Sequence, residues 1–369
     1  MYSGMNLPVH IIIPSVELAG VEKRMLSFWF YSQKEYKREI YLVITESLYK
    51  KFVEATEFSE IINFKNKIIF IDSAASRMAS LKIVRKHFFA YRKNTIMHFV
   101  LWYPVNFSIK QSKTLYTFPG YELSYLSMAK KAILYLSFLS AKKIDLLDPI
   151  IFKNMRKLFF LKKNSFNLTP NSVVNIEKYK ADFASKENWI VFLGRFVQHK
   201  QVMPFARAIP LIYKQLKEKN VPGIKFFLLG LGEQENELKA LLDKEEYKGI
   251  DIFAGFVFDP QSILEKSKII LSVQQYNNYP SRSLLEAMAC GNIPVVTDVG
   301  NTDLIAKPGF SAYISKNFTA EEIAGSITGL LVLDQASQLD KMRNARQFVA
   351  DNCRMENMAQ YFYNLYDTL

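Results

Sequence analysis

Five short apolar runs between residues 189 and 297 constrain this chain more than any other feature. They lie at 189–193, 225–229, 250–253, 269–273 and 294–297, separated by helical patterns at 203–219, 233–246, 260–266 and 283–290. Successive strands with a helix between them run parallel, because the helix carries the chain back to the same end of the sheet. The pattern predicts a Rossmann-like parallel sheet with helices on its faces. Glycine or polar turns follow these runs: Gly194-Arg195, Gly230-Leu231-Gly232, Gly255 and Asp298-Val299-Gly300. In such a sheet, ligands bind in the loops at the carboxyl ends of the strands.

The first half follows the same rule less regularly. Apolar runs at 9–13, 40–45, 68–71 and 96–101 read as buried strands, with a turn at 14–20 and a helical pattern at 21–31. The chain has 369 residues, well past the roughly 250 at which a single core stops growing. Two α/β domains are therefore expected. The first spans residues 1–170 and the second 186–352, joined by a linker at 171–185 that overlaps the polar, turn-rich stretch 163–182. Residues 353–369, with aromatics at helical spacing, read as a terminal helix that docks elsewhere.

Composition narrows the function classes. With 49% hydrophobic and 22% charged residues, the chain has ample core material and is not of the disordered type. Two cysteines, Cys290 and Cys353, are too few for a disulfide framework or a cysteine-ligated zinc, and they fit a reducing compartment. The four histidines, His10, His87, His98 and His199, are not paired at metal-ligand spacing, so no protein-built metal centre is expected. No uncharged apolar run approaches the ~18 to 20 residues a membrane span needs. Residues 1–16 read as the approach to a first strand, not as a signal peptide. A cytoplasmic chain is expected.

The net charge of +13 is unevenly placed. Residues 1–180 hold 28 Lys and Arg against 13 Asp and Glu, and the remainder holds 20 against 22. Three clusters carry much of the excess. They are Lys82, Arg85, Lys86, Arg92 and Lys93; then Lys130, Lys131, Lys142 and Lys143; and then Lys153, Arg156, Lys157, Lys162 and Lys163. Apolar and aromatic residues interleave with them at helical spacing. Basic amphipathic helices of this kind suit an anionic membrane surface, although any one cluster also reads as an ordinary solvated helix face. Nucleic acid exploits the same charge, but the chain contains no finger, RNP-type or helix-turn-helix signature. No nucleic-acid partner is expected.

Two segments carry chemistry. In 193–200, Arg195 and Lys200 stand five positions apart where a strand leaves the sheet. Cations there, with backbone amides of a following helix, could hold a diphosphate. In 277–296, the polar turn Asn277-Asn278-Tyr279-Pro280 leads into Ser281-Arg282-Ser283-Leu284-Leu285-Glu286, then Gly291 and a buried strand. This second stretch resembles the donor-site signature of glycosyltransferase family 4, the retaining glycosyl transferases group 1. Gly194-Arg195 with Lys200, Leu229 to Glu233, Phe253 to Val257, Thr297 to Gly300, and Gly309-Phe310 agree with it in order and spacing.

The resemblance implies a GT-B fold, two Rossmann-like β/α/β domains facing a cleft, and retaining transfer of a sugar from a UDP- or GDP-linked donor without a bound metal. Arg195 and Lys200 would neutralise the donor diphosphate, Glu286 would bind the ribose hydroxyls, and Ser281, Arg282, Ser283, Leu284 and Leu285 would bring backbone amides near phosphate. Phe256 and Val257 would meet the base edge. Gly194, Gly230 and Gly232 would keep strand ends close to the ligand, a purely structural role being the alternative for the last two. In the first half, Gly20 fits the glycine turn that approaches the phosphate, and His98 fits a strand-end histidine touching the sugar, a structural role being its alternative. Glu22 either faces the acceptor or begins a helix.

One departure stands out. The family's usual signature has a glutamate eight positions before Glu286, and here that position is Asn278. Asparagine can both donate and accept hydrogen bonds but carries no charge. The resemblance therefore leaves the donor sugar open, with Asn278 as its candidate contact. The function expected is glycosyl transfer to a glycan or lipid-linked glycan in bacterial surface polysaccharide synthesis, such as capsule or lipopolysaccharide. The basic domain would lie peripherally on the inner face of the cell membrane. A non-catalytic nucleotide-sugar- or glycan-binding subunit is the first alternative, and a nucleic-acid-binding protein using the basic half is the second.

Overall fold

In the computed structural model, residues 7–16, 18, 20–35, 38–54, 56–72, 77–100, 113–118, 127–170, 174–315 and 318–369 are described. They divide into two compact units. One comprises Met1–Val173 with Met355–Leu369, the other Val174–Arg354.

The first unit is built on seven parallel strands: β1 Val9–Ile13, β2 Ile40–Thr45, β3 Ile68–Ile71, β4 Ile96–Val100, β5 Thr114–Phe118, β6 Lys143–Leu146 and β7 Phe166–Leu168. Their order in the sheet is β3-β2-β1-β4-β5-β6-β7, a doubly wound arrangement whose direction reverses between β1 and β4. Every residue of β1, β4 and β5 is buried, as strands covered on both faces must be. On one face, Val9, Ile11 and Ile13 of β1 pack under α1 (Gly20–Glu35), α2 (Glu46–Glu54) and the terminal helix α12 (Met355–Asp367). On the other, Ile12, Met97, Phe99 and Tyr116 pack under α3 (Arg77–Tyr91), α4 (Met128–Ser140) and α5 (Pro149–Leu158). Asp148 starts α5 by accepting from the amides of Ile150 (2.7 Å) and Ile151 (3.0 Å), with proline at the first helical position.

The second unit carries six parallel strands: β8 Glu187–Leu193, β9 Lys225–Leu229, β10 Ile252–Gly255, β11 Ser267–Ser272, β12 Ile293–Thr297 and β13 Ala312–Ile314. Their order is β10-β9-β8-β11-β12-β13, reversing between β8 and β11. Helices α6 (Val202–Glu218), α7 (Glu235–Leu242) and α10 (Ala320–Leu331) cover one face. Helices α8 (Gln261–Lys266), α9 (Arg282–Ala289) and α11 (Gln335–Asn352) cover the other. The predicted α/β class and parallel sheets are therefore present in both units.

Several expectations are corrected. Strand β7 lies inside the stretch read as turn-rich, and its pairing with β6 completes the first sheet. Of the linker expected at 171–185, residues 171–173 lie outside the described residues. From Val174 on, the segment belongs to the second unit. Val174 and Tyr179 are buried in that unit's core, and the Val174 amide donates to the Cys353 carbonyl at 3.0 Å. The strand expected at 96–101 ends at Val100, and Leu101 lies outside the described residues, as do Glu17 and Ala19 of the expected turn.

Candidate functional site

Loops from the carboxyl ends of β8, β9, β10, β11 and β12 gather at one edge of the second sheet. This edge holds Arg195, Lys200, Gly194, Gly230, Gly232, Phe256, Val257, Asn278, Ser281, Arg282, Ser283 and Glu286. It is the side on which a doubly wound sheet opens a crevice where its strand order reverses. The loop after β8 and the loop after β11 flank that point, and the Gln275 amide donates to the His199 carbonyl at 3.0 Å to join them.

Side chains lock the second of these loops. Asn277 Oδ1 accepts from the amides of Tyr279 and Asn301, each at 3.2 Å, so one amide group ties the loop after β11 to the loop after β12. Thr297 Oγ1 reinforces the tie, accepting from the Gln274 amide at 2.8 Å and donating to its carbonyl at 2.9 Å. Sequence reasoning missed this clasp, because the notable position was its neighbour, Asn278, which is half-buried.

The two cations behave as an unneutralised pair. Arg195 is exposed and Lys200 half-buried, and among the described residues neither has an ion-pair partner. Burial, reinforced by the nearby Arg195 charge, holds the Lys200 ammonium down to about 8. An anion at this edge would relieve both effects.

Helix α9 presents its first turn here. Ser281, nearly buried, is its N-cap, and Leu284 and Leu285 are buried in the core, so only their backbone faces the edge. Arg282 Nε donates to Glu286 Oε1 at 2.7 Å. A cation in the first turn opposes the helix dipole, and here the carboxylate one turn on partly offsets it. The i,i+4 spacing of Arg282 and Glu286 was the signal for this pairing in the sequence.

Protein contacts alone account for Gly230 and Gly232. A Cβ on Gly230 would stand 1.9 Å from the Gly194 carbonyl oxygen, and one on Gly232 would stand 2.3 Å from the Phe196 carbonyl oxygen. Gly194 N donates to Leu229 O at 3.0 Å and Phe196 N to Leu231 O at 2.8 Å, which brings the two loops this close. Phe256 is 60% exposed, whereas Val257 is half-buried.

Two predicted site residues, Gly20 and His98, belong to the first unit. Gly20 opens α1, and no atom lies within 4 Å of where its Cβ would stand. Glu22, in the same turn, is 5% exposed. Of the two readings of His98, the structural one fits: it sits in the middle of β4, with no exposed surface and both ring nitrogens engaged. Thr117 Oγ1 donates its only proton to Asp145 Oδ2 at 2.8 Å and so accepts from His98 Nε2 at 2.8 Å. Nδ1 is then the acceptor for the Tyr366 hydroxyl at 2.7 Å. Asp145, fully buried, also accepts from Tyr361 at 2.7 Å and from Thr169, and it lies 3.8 Å from the Arg24 guanidinium. The imidazole has no face left for a sugar. Among the described residues, no three His, Cys, Asp or Glu side chains gather as a metal site requires.

Comparisons with known proteins bear on the second unit's sequence and on the fold. Residues 174–348, nearly the whole second unit, match the family described as Glycosyl transferases group 1. An uncharacterized glycosyltransferase of Methanocaldococcus jannaschii is 26% identical over 201 residues, 54% of this chain and 49% of that protein. The poly(glycerol-phosphate) alpha-glucosyltransferase of Bacillus subtilis is 24% identical over 188 residues, 47% of this chain and 25% of that protein. The chain thus spans half or less of the length of these curated relatives. Among solved structures, Anabaena HepE in complex with UDP-glucose superposes with a TM-score of 0.69 at 12% identity, covering 98% of this chain and 100% of that one. The fold is GT-B.

Proposed function

We propose that this chain is a retaining glycosyltransferase that moves a sugar from a nucleoside-diphosphate sugar, UDP- or GDP-linked, to a glycan or lipid-linked glycan acceptor in bacterial surface polysaccharide synthesis. The observation that carries the proposal is the unneutralised pair Arg195 and Lys200 at the reversal point of the second sheet. Two cations left unpaired at the sheet edge where α9 also begins fit a diphosphate, whose charge grows as the sugar leaves. The match of residues 174–348 to the group 1 family supports the same reading.

In this reading, the bond between the anomeric carbon and the diphosphate oxygen breaks while the acceptor oxygen bonds to the same face of that carbon. The departing phosphate oxygen takes the acceptor proton. Arg195 and Lys200 hold the developing negative charge, a task done elsewhere by a metal, so no metal is needed. Glu286, steadied by Arg282, accepts from the ribose hydroxyls. Asn278 addresses the donor sugar through neutral hydrogen bonds. The name of the relative acting on poly(glycerol-phosphate) supports a polymeric acceptor. Work at the inner face of the membrane belongs to the same reading.

A thermal-shift panel with UDP, GDP, ADP and CMP, with and without magnesium, tests it. A ligand that binds only the folded chain, at 100 times its dissociation constant, adds about 2.7 kcal/mol. One nucleoside diphosphate should stabilise the protein equally with and without magnesium, and no shift with any of the four would overturn the donor-site reading. Binding without turnover on any lipid extract would instead favour a non-catalytic binding subunit.

A further inference from the structure

The two helical layers of the first unit differ sharply in charge. Helices α1, α2 and α12 cover one face of the sheet with 38 residues that include five Lys and Arg and six Asp and Glu. Helices α3, α4 and α5 cover the other face, also with 38 residues, and include nine Lys and Arg and no Asp or Glu. A solvated helix surface normally mixes both signs. An entirely acid-free layer is therefore a directional feature of this face.

The same layer exposes apolar side chains beside the cations. On α3, Lys82, Arg85 and Lys86 are exposed together with Phe89 and Tyr91, at 43% and 45%. On α4, Tyr135, Leu136 and Leu139 are exposed, and Tyr135 stacks on Phe159, which follows α5. On α5, Lys153, Arg156 and Lys157 are exposed between Ile150 and Leu158, the last at 56%. The inner residues of all three helices are already committed to one core, with Val84 and Phe88, Leu134 and Phe138, and Ile151 and Met155 packed beneath them. What remains outside thus points away from the sheet.

From this juxtaposition we infer that the α3–α4–α5 face docks on a bilayer surface rich in anionic lipid. Charge alone fits any polyanion, but a soluble polyanion leaves Phe89, Leu136, Leu139 and Leu158 in water. At a lipid surface, such side chains enter the headgroup boundary while Lys and Arg stems reach out to the phosphates. The inference deepens the function proposed above and rests on it only in supplying the place where a lipid-linked acceptor is met. Among the described residues, no helix is long and apolar enough to cross a membrane, so attachment by this face is peripheral.

Vesicle flotation tests it with the full chain and no donor present. Vesicles of phosphatidylcholine with about one third phosphatidylglycerol should carry the protein, those of phosphatidylcholine alone should not, and added salt should release it. Lys153→Glu, Arg156→Glu and Lys157→Glu together should weaken binding at least about a hundredfold, since each basic residue near the surface contributes close to a factor of five. Leu136→Ser with Leu139→Ser should weaken vesicle binding severalfold but leave binding to soluble polyphosphate unchanged. No flotation with anionic vesicles, or a serine variant that binds them like the parent, would overturn the assignment, and the latter result would point to a soluble polyanion. The nucleotide thermal shift, read on the same variants, should stay intact. It separates a misfolded variant, or a failed donor site, from a failed membrane face.

Discussion

The imidazole of His98 accepts a 2.7 Å hydrogen bond from the hydroxyl of Tyr366, a residue 268 positions later in the chain. Through it, the middle of strand β4 is joined to the terminal helix α12, and the bond continues through Thr117 to Asp145. Each buried polar group depends on the next, so loss of one member leaves others unpaired. Asp145→Ala, which strands the buried Arg24 guanidinium, should cost about 3–5 kcal/mol in urea unfolding. Tyr366→Phe, which leaves His98 Nδ1 without its donor, should cost about 1–3 kcal/mol.

Acid should unfold the first unit first. Burial, and for His98 also the Arg24 charge, holds His98 down to about 3, while burial holds His10 and His87 at about 4. The last two share a 2.9 Å hydrogen bond that needs one bare nitrogen. The unfolded chain protonates all three near 6.5 and the folded chain does not, so stability is lost as pH falls from about 6.5 towards 4. Each buried histidine contributes up to about 1.4 kcal/mol per pH unit. Hydrogen exchange at pH 5 against pH 7 should show α12 and β4 opening before α6 and β8, and equal protection at both values would contradict this.

Donor affinity should weaken in alkali. Lys200 is charged below about 8 and neutral above it, so nucleoside-diphosphate affinity should hold up to pH 7 and then fall towards about tenfold per pH unit above 8. Lys200→Arg stays charged and should remove the fall. Arg195→Ala should move the midpoint upward, because the Arg195 charge helps hold Lys200 down. Alanine at either position should lower turnover by about two to three orders of magnitude. Titration calorimetry from pH 6.5 to 9.5 and a transfer assay give these quantities.

The glycines expected to meet the donor should respond oppositely to alanine. Gly230→Ala and Gly232→Ala push a methyl into carbonyl oxygens of the neighbouring loop and should lower stability by about 2 kcal/mol or more. Gly20→Ala meets open space and should leave the melting temperature within about one degree or raise it, since alanine suits a helix start better than glycine. If Gly20→Ala nonetheless lowers turnover, the cause is crowding of a ligand. A change in neither quantity would remove Gly20 from the site.

Much of this is legible in the sequence. In the second unit, strands such as 225–229 are unbroken apolar runs ending in glycine, and the motif residues fall on one sheet edge because strand ends do. The first unit was harder to read. His98, Thr117 and Asp145 face inward from β4, β5 and β6, so strands that are buried look polar. Asp145 in Lys143–Leu146 hid β6, and three-residue β7 was lost among Asn and Ser. The two readings of His98 stay open in the sequence for the same reason: a histidine in a strand suits a ligand contact or a core bond, and a partner 268 residues away decides for the core. Arg282 and Glu286 stand at the i,i+4 spacing that permits their bond, but spacing alone does not require it.

Helix α12 has a consequence for how the protein is made. Met358, Phe362 and Tyr366 complete a core begun by Val9, Ile11 and Phe28, yet the 181 residues of the second unit are synthesised in between. At about 5–20 residues per second, a ribosome takes roughly 10–40 s to cross that interval. Throughout it, the nascent first unit carries an apolar face waiting for its lid, while the second unit emerges and can fold at once. Completion of the first unit's core therefore waits on α12, the part of it translated after the whole second unit.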